Sequence, residues 1–248
     1  MLEKTIEVPT PDGPADGILI QPEKDGRWPG VLYLTDIGGI RAANRGMARR
    51  LAAEGYAVLL PNAFYRNGTP PLFKEPINIG DEQFMKRVNE LRQALPTDAM
   101  DRDLAAYIDF LAEQPSVSGN AFGVVGFCFT GPMAVRAAAA RPDKIAAVAT
   151  FHGGGLYTDA PTSPHTLLPR IKARLYFGHA VEDRSMPKEA LEKFDRALAA
   201  WGGRYESEIY DGARHGWTVP DHPAYNEPQA ERAFAKLTDL LNATLKHK

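Results

Sequence analysis

The chain has 248 residues, of which 44% are hydrophobic and 24% are charged, and its formal net charge is −2. This composition is typical of a soluble globular protein, and a near-neutral charge without blocks of like charge argues against nucleic-acid and membrane partners. The single cysteine excludes an internal disulfide and a cysteine-rich metal site, so we expect no metal and no other cofactor. The N-terminus lacks a basic segment followed by an apolar one, which predicts a cytoplasmic protein.

Apolar runs typical of β-strands alternate with helical patterns along the chain. Strands are predicted near Thr5–Val8, Gly17–Gln21, Gly30–Thr35, Tyr56–Leu60, Phe122–Gly126, Ala146–Phe151, Ala173–Phe177 and Tyr205–Tyr210. Helices are predicted near Arg45–Glu54, Asp81–Leu95, Asp98–Glu113, Pro132–Ala140, Pro187–Ala200 and Pro228–Leu245.

This alternation predicts an α/β protein with a mostly parallel twisted sheet of about eight strands and helices on both faces, as one domain over residues 1–248. The turn-rich segment between the first two strands indicates a hairpin and hence an antiparallel edge. The irregular segment Ala63–Ile79 is interpreted as an excursion over the carboxyl edge of the sheet, where open α/β sheets bind ligands.

Cys128 lies on the short connection between a predicted strand and a predicted helix. This is the setting of a nucleophile elbow, Gly-x-Nuc-x-x-Gly, with Gly126 and Gly131 as the small residues that let strand and helix approach closely. The helix N-terminus favours a thiolate over a thiol. The elbow alone leaves a second interpretation open, in which Cys128 is a small buried apolar residue.

A nucleophile needs a base, and the base needs an acid that orients it. In this type of fold both follow the nucleophile at the ends of later strands. Asp183, with Glu182 as the weaker candidate, follows one strand, and His215 follows the next. Each has a plain alternative, since Asp183 is also placed to cap a helix, but residue type, order and position together favour a Cys128, His215, Asp183 triad.

On these residues the chain resembles the dienelactone hydrolase family of α/β-hydrolases, whose elbow is Gly-Tyr-Cys-x-x-Gly. Gly126-Phe127-Cys128 matches with Phe in place of Tyr. The resemblance implies an α/β-hydrolase fold. It also implies that the backbone N–H groups of Ile37 and Phe129 form an oxyanion hole, and that an acidic residue, here Asp36, contacts the resting thiol. The alternative for Asp36 is a carboxylate that caps the following loop.

The function implied by the resemblance is hydrolysis of an ester or lactone of the carboxymethylenebutenolidase type, through the triad and an acyl-cysteine intermediate. A general carboxylesterase or thioesterase on the same scaffold is an alternative. A thiol-reactive binding protein that never turns over is another.

The residues that bind substrate are less clearly indicated. The family places an arginine four residues after the catalytic histidine, where this chain has Val219. The predicted substrate-binding residues are Tyr65, Arg87, Trp217 and His165, and further possible contacts are Arg66, Arg92, Arg214 and His152. The alternative for the arginines is a solvated surface charge, and the alternative for Tyr65 and Trp217 is an aromatic core residue. The expected partner is a small ester or lactone, bound by a monomer or small homo-oligomer.

Overall fold

Eight strands and six α-helices alternate along residues 1–23, 25–73 and 79–246, which the computed structural model describes. The strands are β1 (Leu2–Thr10), β2 (Gly13–Gln21), β3 (Trp28–Leu34), β4 (Ala57–Pro61), β5 (Val117–Phe127), β6 (Ile145–Phe151), β7 (Arg174–Ala180) and β8 (Tyr205–Tyr210). The helices are α1 (Ala42–Ala53), α2 (Glu82–Gln93), α3 (Thr97–Ala112), α4 (Gly131–Ala140), α5 (Lys188–Trp201) and α6 (Glu227–Leu241).

All eight strands belong to one sheet with the spatial order β1-β2-β4-β3-β5-β6-β7-β8. β1 and β2 form the expected antiparallel hairpin, and β2 is also antiparallel to β4. Every other neighbouring pair is parallel. The carboxyl ends of β3 to β8 therefore open onto the same edge of the sheet, and the fold class predicted from the sequence is confirmed.

The sheet separates two hydrophobic cores. α2, α3, α4 and α5 pack on one face, and α1 and α6 pack on the other. The central strands are buried on both faces, which is why β3 and β4 read as continuous apolar runs rather than alternating ones. Each fully buried large side chain, such as Tyr107 or Leu111 of α3, contributes on the order of 1.5–3 kcal/mol to folding.

The elements differ from their predicted bounds mainly at their ends. β5 begins at Val117, five residues before the predicted start, and a 3₁₀ helix over Pro164–Arg170 has no counterpart in the sequence prediction. In the irregular segment, Tyr65–Asn67 form a 3₁₀ turn, and residues 74–78 lie outside the described residues. None of the described helices has both the length and the apolar character to cross a membrane.

Candidate active site

Cys128 occupies the sharp connection between a strand and a helix. β5 ends at Phe127, residues 128–130 form a 3₁₀ turn, and α4 begins at Gly131 with Pro132 in its first turn. The backbone of Cys128 has φ of 56°. This left-handed conformation costs a non-glycine residue on the order of 1–3 kcal/mol and persists only where the surroundings enforce it.

Small residues around the turn allow that conformation. A Cβ on Gly126 would lie 2.3 Å from the carbonyl oxygen of Thr130, and one on Gly131 would lie 2.7 Å from Cα of Gly153. The hydroxyl of Thr130 donates a hydrogen bond to the carbonyl of Leu34 at 3.0 Å. The elbow is therefore attached to the end of β3, the neighbouring central strand.

Asp183 and His215 form a hydrogen-bonded pair beyond the ends of β7 and β8. Nδ1 of His215 lies 2.7 Å from Oδ2 of Asp183. The other carboxylate oxygen, Oδ1, accepts hydrogen bonds from the Ser185 amide at 2.8 Å and the Ser185 hydroxyl at 2.6 Å. Glu182, the weaker candidate, is exposed. The structure thus joins His215 to Asp183.

This pairing changes the protonation of both side chains. Burial lowers the pKa of His215, but the hydrogen bond to Asp183 and the neighbouring Cys128 sulfur outweigh it and raise the pKa to about 10. Burial raises the pKa of Asp183, but His215 and the Ser185 donors outweigh it, so the pKa lies below its usual value. His215 therefore holds its proton at neutral pH beside an ionised Asp183.

A cavity of about 1080 Å³ lies at the carboxyl edge of the sheet. Cys128 and His215 both line it, as do Asp36, Ile37 and Phe129. Asp183 stands behind His215, with only 4% of its side chain exposed. The structure thus brings the predicted nucleophile and base to one cavity, with the predicted acid in the wall behind them.

Ile37 and Phe129 present backbone N–H groups next to the elbow. Ile37 follows the end of β3, and in the described part of the chain its amide donates no hydrogen bond. Phe129 is the second residue of the 3₁₀ turn, where an N–H precedes the first internal hydrogen bond. Both amides are available as donors, and their role as an oxyanion hole remains a prediction.

The Asp36 carboxylate, expected on the thiol, is instead paired with the Arg41 guanidinium. Both carboxylate oxygens accept hydrogen bonds from the Arg41 guanidinium, Oδ1 at 2.5 Å and Oδ2 at 2.9 Å. Oδ1 also accepts the Gly38 amide at 3.1 Å. Among the described residues, no hydrogen bond joins Asp36 to Cys128. The Arg41 guanidinium, which donates two charge-assisted hydrogen bonds, is a stronger partner for the Asp36 carboxylate than a thiol.

Two of the predicted substrate-binding residues are held by other contacts. The Tyr65 hydroxyl lies 2.6 Å from the Thr10 hydroxyl and 3.1 Å from Asp103 Oδ1. Arg87 donates to the carbonyls of Leu72 and Asn67, each at 3.1 Å. Neither side chain lines the cavity wall. Both residues instead stabilise the loop that follows β4.

The other two also lie away from the cavity wall. Trp217 is fully buried and stacks on Tyr210, with ring centroids 4.9 Å apart. His165 stacks on Tyr157 at 4.1 Å and hydrogen-bonds the Ser163 hydroxyl at 2.7 Å. Trp217 is a core residue, and its position beside the histidine in sequence does not bring it into the cavity.

His152 and Arg92, only possible contacts on sequence grounds, do line the cavity. His152 is 1% exposed, has φ of 41°, and packs edge-on against His215 with ring centroids 5.0 Å apart. Its Nε2 lies 2.8 Å from the Thr218 hydroxyl, and burial holds its pKa well below the usual value. The sequence feature that pointed to His152 is its position directly after β6, since the predicted triad residues also follow strand ends.

The comparisons with known proteins agree with this architecture. The model of the Dienelactone hydrolase family matches residues 15–245. A Synechocystis sp. protein provisionally named carboxymethylenebutenolidase is 28% identical over 244 residues, covering 97% of this chain and 96% of that protein. The Carboxymethylenebutenolidase of Rhodococcus opacus is 28% identical over 201 residues, 78% of this chain and 73% of that protein.

A solved structure supports the fold independently. A Klebsiella pneumoniae protein provisionally assigned as a dienelactone hydrolase superposes with a TM-score of 0.84 at 22% identity, covering 96% of this chain and 97% of that one. The fold is thus that of the α/β-hydrolases. This chain belongs to the dienelactone hydrolase family, and the expected class of enzyme, a hydrolase of this family, is confirmed.

Proposed function

We propose that this protein hydrolyses a carboxylic ester or lactone through an acyl intermediate on Cys128. The observation that carries the proposal is the shared geometry of three residues. Cys128 sits on a left-handed elbow with φ of 56°, in one cavity with His215, whose Nδ1 lies 2.7 Å from Asp183. The names of the similar carboxymethylenebutenolidases support the substrate class.

In the first half of the reaction, the sulfur of Cys128 attacks the substrate carbonyl carbon. A carbon–sulfur bond forms, and the carbonyl electron pair moves onto the oxygen. The tetrahedral intermediate then collapses, the carbon–oxygen ester bond breaks, and the leaving alkoxide takes its proton from His215. A histidine whose pKa is raised to about 10 arrives at this step already protonated and supplies that proton to the alkoxide.

In the second half, His215 takes a proton from water, and the resulting hydroxide attacks the acyl carbon. The carbon–sulfur bond breaks, the carboxylic acid leaves, and the thiolate is restored. Asp183 holds Nδ1 of His215, so that the opposite ring nitrogen faces the reacting groups throughout. Because a thiolate leaves more readily than an amine, attack on an amide reverts to substrate, and esters and lactones are the better substrates.

Two backbone donors stabilise the oxyanion in this proposal. The N–H groups of Ile37 and Phe129 flank the elbow and require no reorganisation when the charge develops. Removing one such donor typically costs about 100- to 1000-fold in rate. Their placement on the ends of β3 and β5, two paired central strands, favours a fixed distance between them.

The cavity wall indicates which ester is accepted. Its apolar part includes Ile79, Phe84, Val88, Met100, Phe129 and Pro132. Arg92 lines the same wall, with its guanidinium 5.8 Å from the centroid of the Phe129 ring. Arg41, the other lining arginine, is already paired with Asp36 and Asp221. A substrate with an apolar body and one anionic group matches these walls, with Arg92 as the counter-charge.

The test is a hydrolase panel of lactones, dienelactones, aryl esters and thioesters, measured with the wild type and Cys128→Ala. We expect a burst of one acyl group per active site followed by steady turnover in the wild type, and neither in Cys128→Ala. Cys128→Ala and His215→Ala should each lower hydrolysis by orders of magnitude, and the double variant should be hardly worse, because triad residues act as a unit.

Other outcomes identify the alternatives. Stoichiometric acylation without steady release would indicate a thiol-reactive binding protein. Independent and multiplicative losses in the double variant would argue against a shared mechanism. Turnover of simple aryl esters or thioesters without turnover of lactones would indicate a general carboxylesterase or thioesterase.

A further inference from the structure

Arg41, at the start of α1, binds two carboxylates that belong to different loops of the site. Its guanidinium donates to both oxygens of Asp36, at 2.5 and 2.9 Å, and to both oxygens of Asp221, at 2.7 and 2.8 Å. A further bond at 2.6 Å reaches the side-chain oxygen of Asn44. Only 7% of the Arg41 side chain is exposed, although it lines the cavity.

The first carboxylate shapes the turn that presents the Ile37 amide. Asp36 immediately precedes Ile37, its Oδ1 accepts the Gly38 N–H at 3.1 Å, and its backbone carbonyl accepts the Gly39 N–H at 3.1 Å. The two bonds close a turn around Ile37. Because the Asp36 carboxylate is fixed by Arg41, the direction of the Ile37 N–H depends on the guanidinium as well.

The second carboxylate belongs to the loop that carries His215. Asp221 lies between β8 and α6, six residues after His215. In the same loop, a Cβ on Gly216 would meet the His222 ring at 2.4 Å, so the backbone next to the catalytic histidine packs tightly against the residue next to Asp221. A displacement of Asp221 is therefore transmitted towards His215.

We propose that Arg41 is a positioning residue that keeps the oxyanion donor of Ile37 aligned with the Cys128–His215 pair. The inference rests on the proposed function. A planar guanidinium with five donors binds two carboxylates bidentately, which the single ammonium of a lysine does not reproduce. Removing it leaves Asp36, whose side chain is 9% exposed, as an unpaired charge in the wall. Misplacing a reacting group by about 1 Å can cost about 100-fold in rate.

Two reactions of the same sulfur separate positioning from general damage. Acylation by p-nitrophenyl acetate passes through an oxyanion and needs the Ile37 N–H. Alkylation by iodoacetamide displaces iodide and builds no oxyanion at a carbonyl. Arg41 makes no hydrogen bond with Cys128 or His215 among the described residues. Loss of Arg41 should therefore slow acylation and spare alkylation.

We expect Arg41→Lys to slow the acylation burst by about 10- to 100-fold, a partial loss of one oxyanion donor. Its iodoacetamide rate should stay within about twofold of the wild type, because the nucleophile itself is untouched. Asp36→Asn, which keeps the side-chain shape but not the charge, should show the same pattern. Asp221→Asn should slow the acylation burst less, because 45% of the Asp221 side chain is exposed and solvent screens its pairing with Arg41.

Arg50→Lys is the matched control. Arg50 lies on the same helix, forms a two-bond ion pair with Glu231 and does not line the catalytic cavity. Both rates of Arg50→Lys should match the wild type. The urea unfolding midpoint is measured for every variant, so that a loss of folded protein is counted before the rates are compared.

An unchanged acylation burst in both Arg41→Lys and Asp36→Asn would overturn the inference. Alkylation that slows in step with acylation would also overturn it, since that result indicates collapse of the whole site. The proposed function is read separately, from the wild-type burst and its absence in Cys128→Ala. The ratio of acylation to alkylation across the Arg41 and Asp36 variants reports on the positioning role alone.

Discussion

Nδ1 of His215 and Oδ2 of Asp183 lie 2.7 Å apart, although the residues come from loops at the ends of two different strands. The second oxygen of Asp183 is held by both donors of Ser185. The carboxylate is thus fixed on one side before it contacts the imidazole on the other. Adjacent Glu182 has φ of 50°, is exposed, and makes no comparable contact among the described residues.

Asp183→Asn should therefore be severe, and Glu182→Gln should be neutral. The amide cannot stabilise an imidazolium or hold the correct tautomer, and similar replacements cost about 10⁴-fold in turnover. The pKa of His215 should fall below about 10, because the Asp183 carboxylate no longer raises it against the effect of burial. Steady-state hydrolysis and NMR titration of the His215 ring measure the two effects. Loss of hydrolysis in Glu182→Gln instead would show that Glu182, and not Asp183, is the acid.

Gly126→Ala should disrupt the elbow. The added methyl would lie 2.3 Å from the Thr130 carbonyl oxygen and 2.8 Å from its carbon, so the backbone of the turn must move. We expect a loss of about 1–3 kcal/mol in the free energy of unfolding, as for other overpacked sites, with a larger loss of hydrolysis. Urea unfolding and the acylation burst test this expectation.

Gly46→Ala is the control for that variant. Gly46 lies within α1, and a Cβ there meets no atom within 4 Å. Since alanine is the better helix former, the free energy of unfolding should rise by up to about 1 kcal/mol with unchanged hydrolysis. A Gly126→Ala protein with wild-type stability and activity would show that the turn accommodates a side chain at this position.

Arg92→Met should discriminate between charged and neutral substrates. For an ester carrying a second carboxylate, KM should rise by about 10-fold or more, the equivalent of one charge-assisted hydrogen bond. For the matched methyl ester, KM should change little. Arg87→Met is the control, because Arg87 donates to Leu72 and Asn67 and does not line the cavity. Equal effects of Arg92→Met on both substrates would contradict an anion-binding role.

His179 should make the folded state sensitive to acid. This residue of β7 is 3% exposed, and burial lowers its pKa to about 4. Below pH 6.5 the unfolded chain takes up a proton that the folded protein does not accept, so the free energy of unfolding falls as the pH falls towards 4. Between pH 7 and pH 5 this one group accounts for about 2 kcal/mol.

His179→Gln should reduce that dependence. Urea unfolding at pH 7 and pH 5 gives, for each protein, the change in the free energy of unfolding between the two pH values. We expect this change to be smaller by about 2 kcal/mol in the variant. The other buried histidines are unchanged, so their contributions cancel in the comparison. Equal differences in the two proteins would mean that His179 takes up its proton in the folded state at pH 5.

The elbow and the histidine–acid pair were predictable because their signals are local. A run of apolar residues marks each strand, and Cys128, Asp183 and His215 each follow one. Parallel pairing then brings the carboxyl ends together, so sequence order alone places all three at one edge. The same reasoning pointed to His152, which directly follows β6 and lines the cavity.

Other features depend on contacts that no local pattern encodes. Tyr65 and Trp217 were expected in the substrate cavity, but an aromatic residue near a site serves equally well as core, and packing alone decides which way the ring turns. Asp36 was expected on the thiol, yet it binds Arg41, which is held in turn by Asp221, 180 residues further along the chain. The sequence by itself determined the alternation of strands and helices, the antiparallel edge hairpin and the strand-end positions of Cys128, Asp183 and His215, because strands and turns follow from neighbouring residues. Tertiary structure decided the cavity wall and the pairing of its charges, because the free energy of a buried ion pair depends on loops that meet only after the sheet has formed.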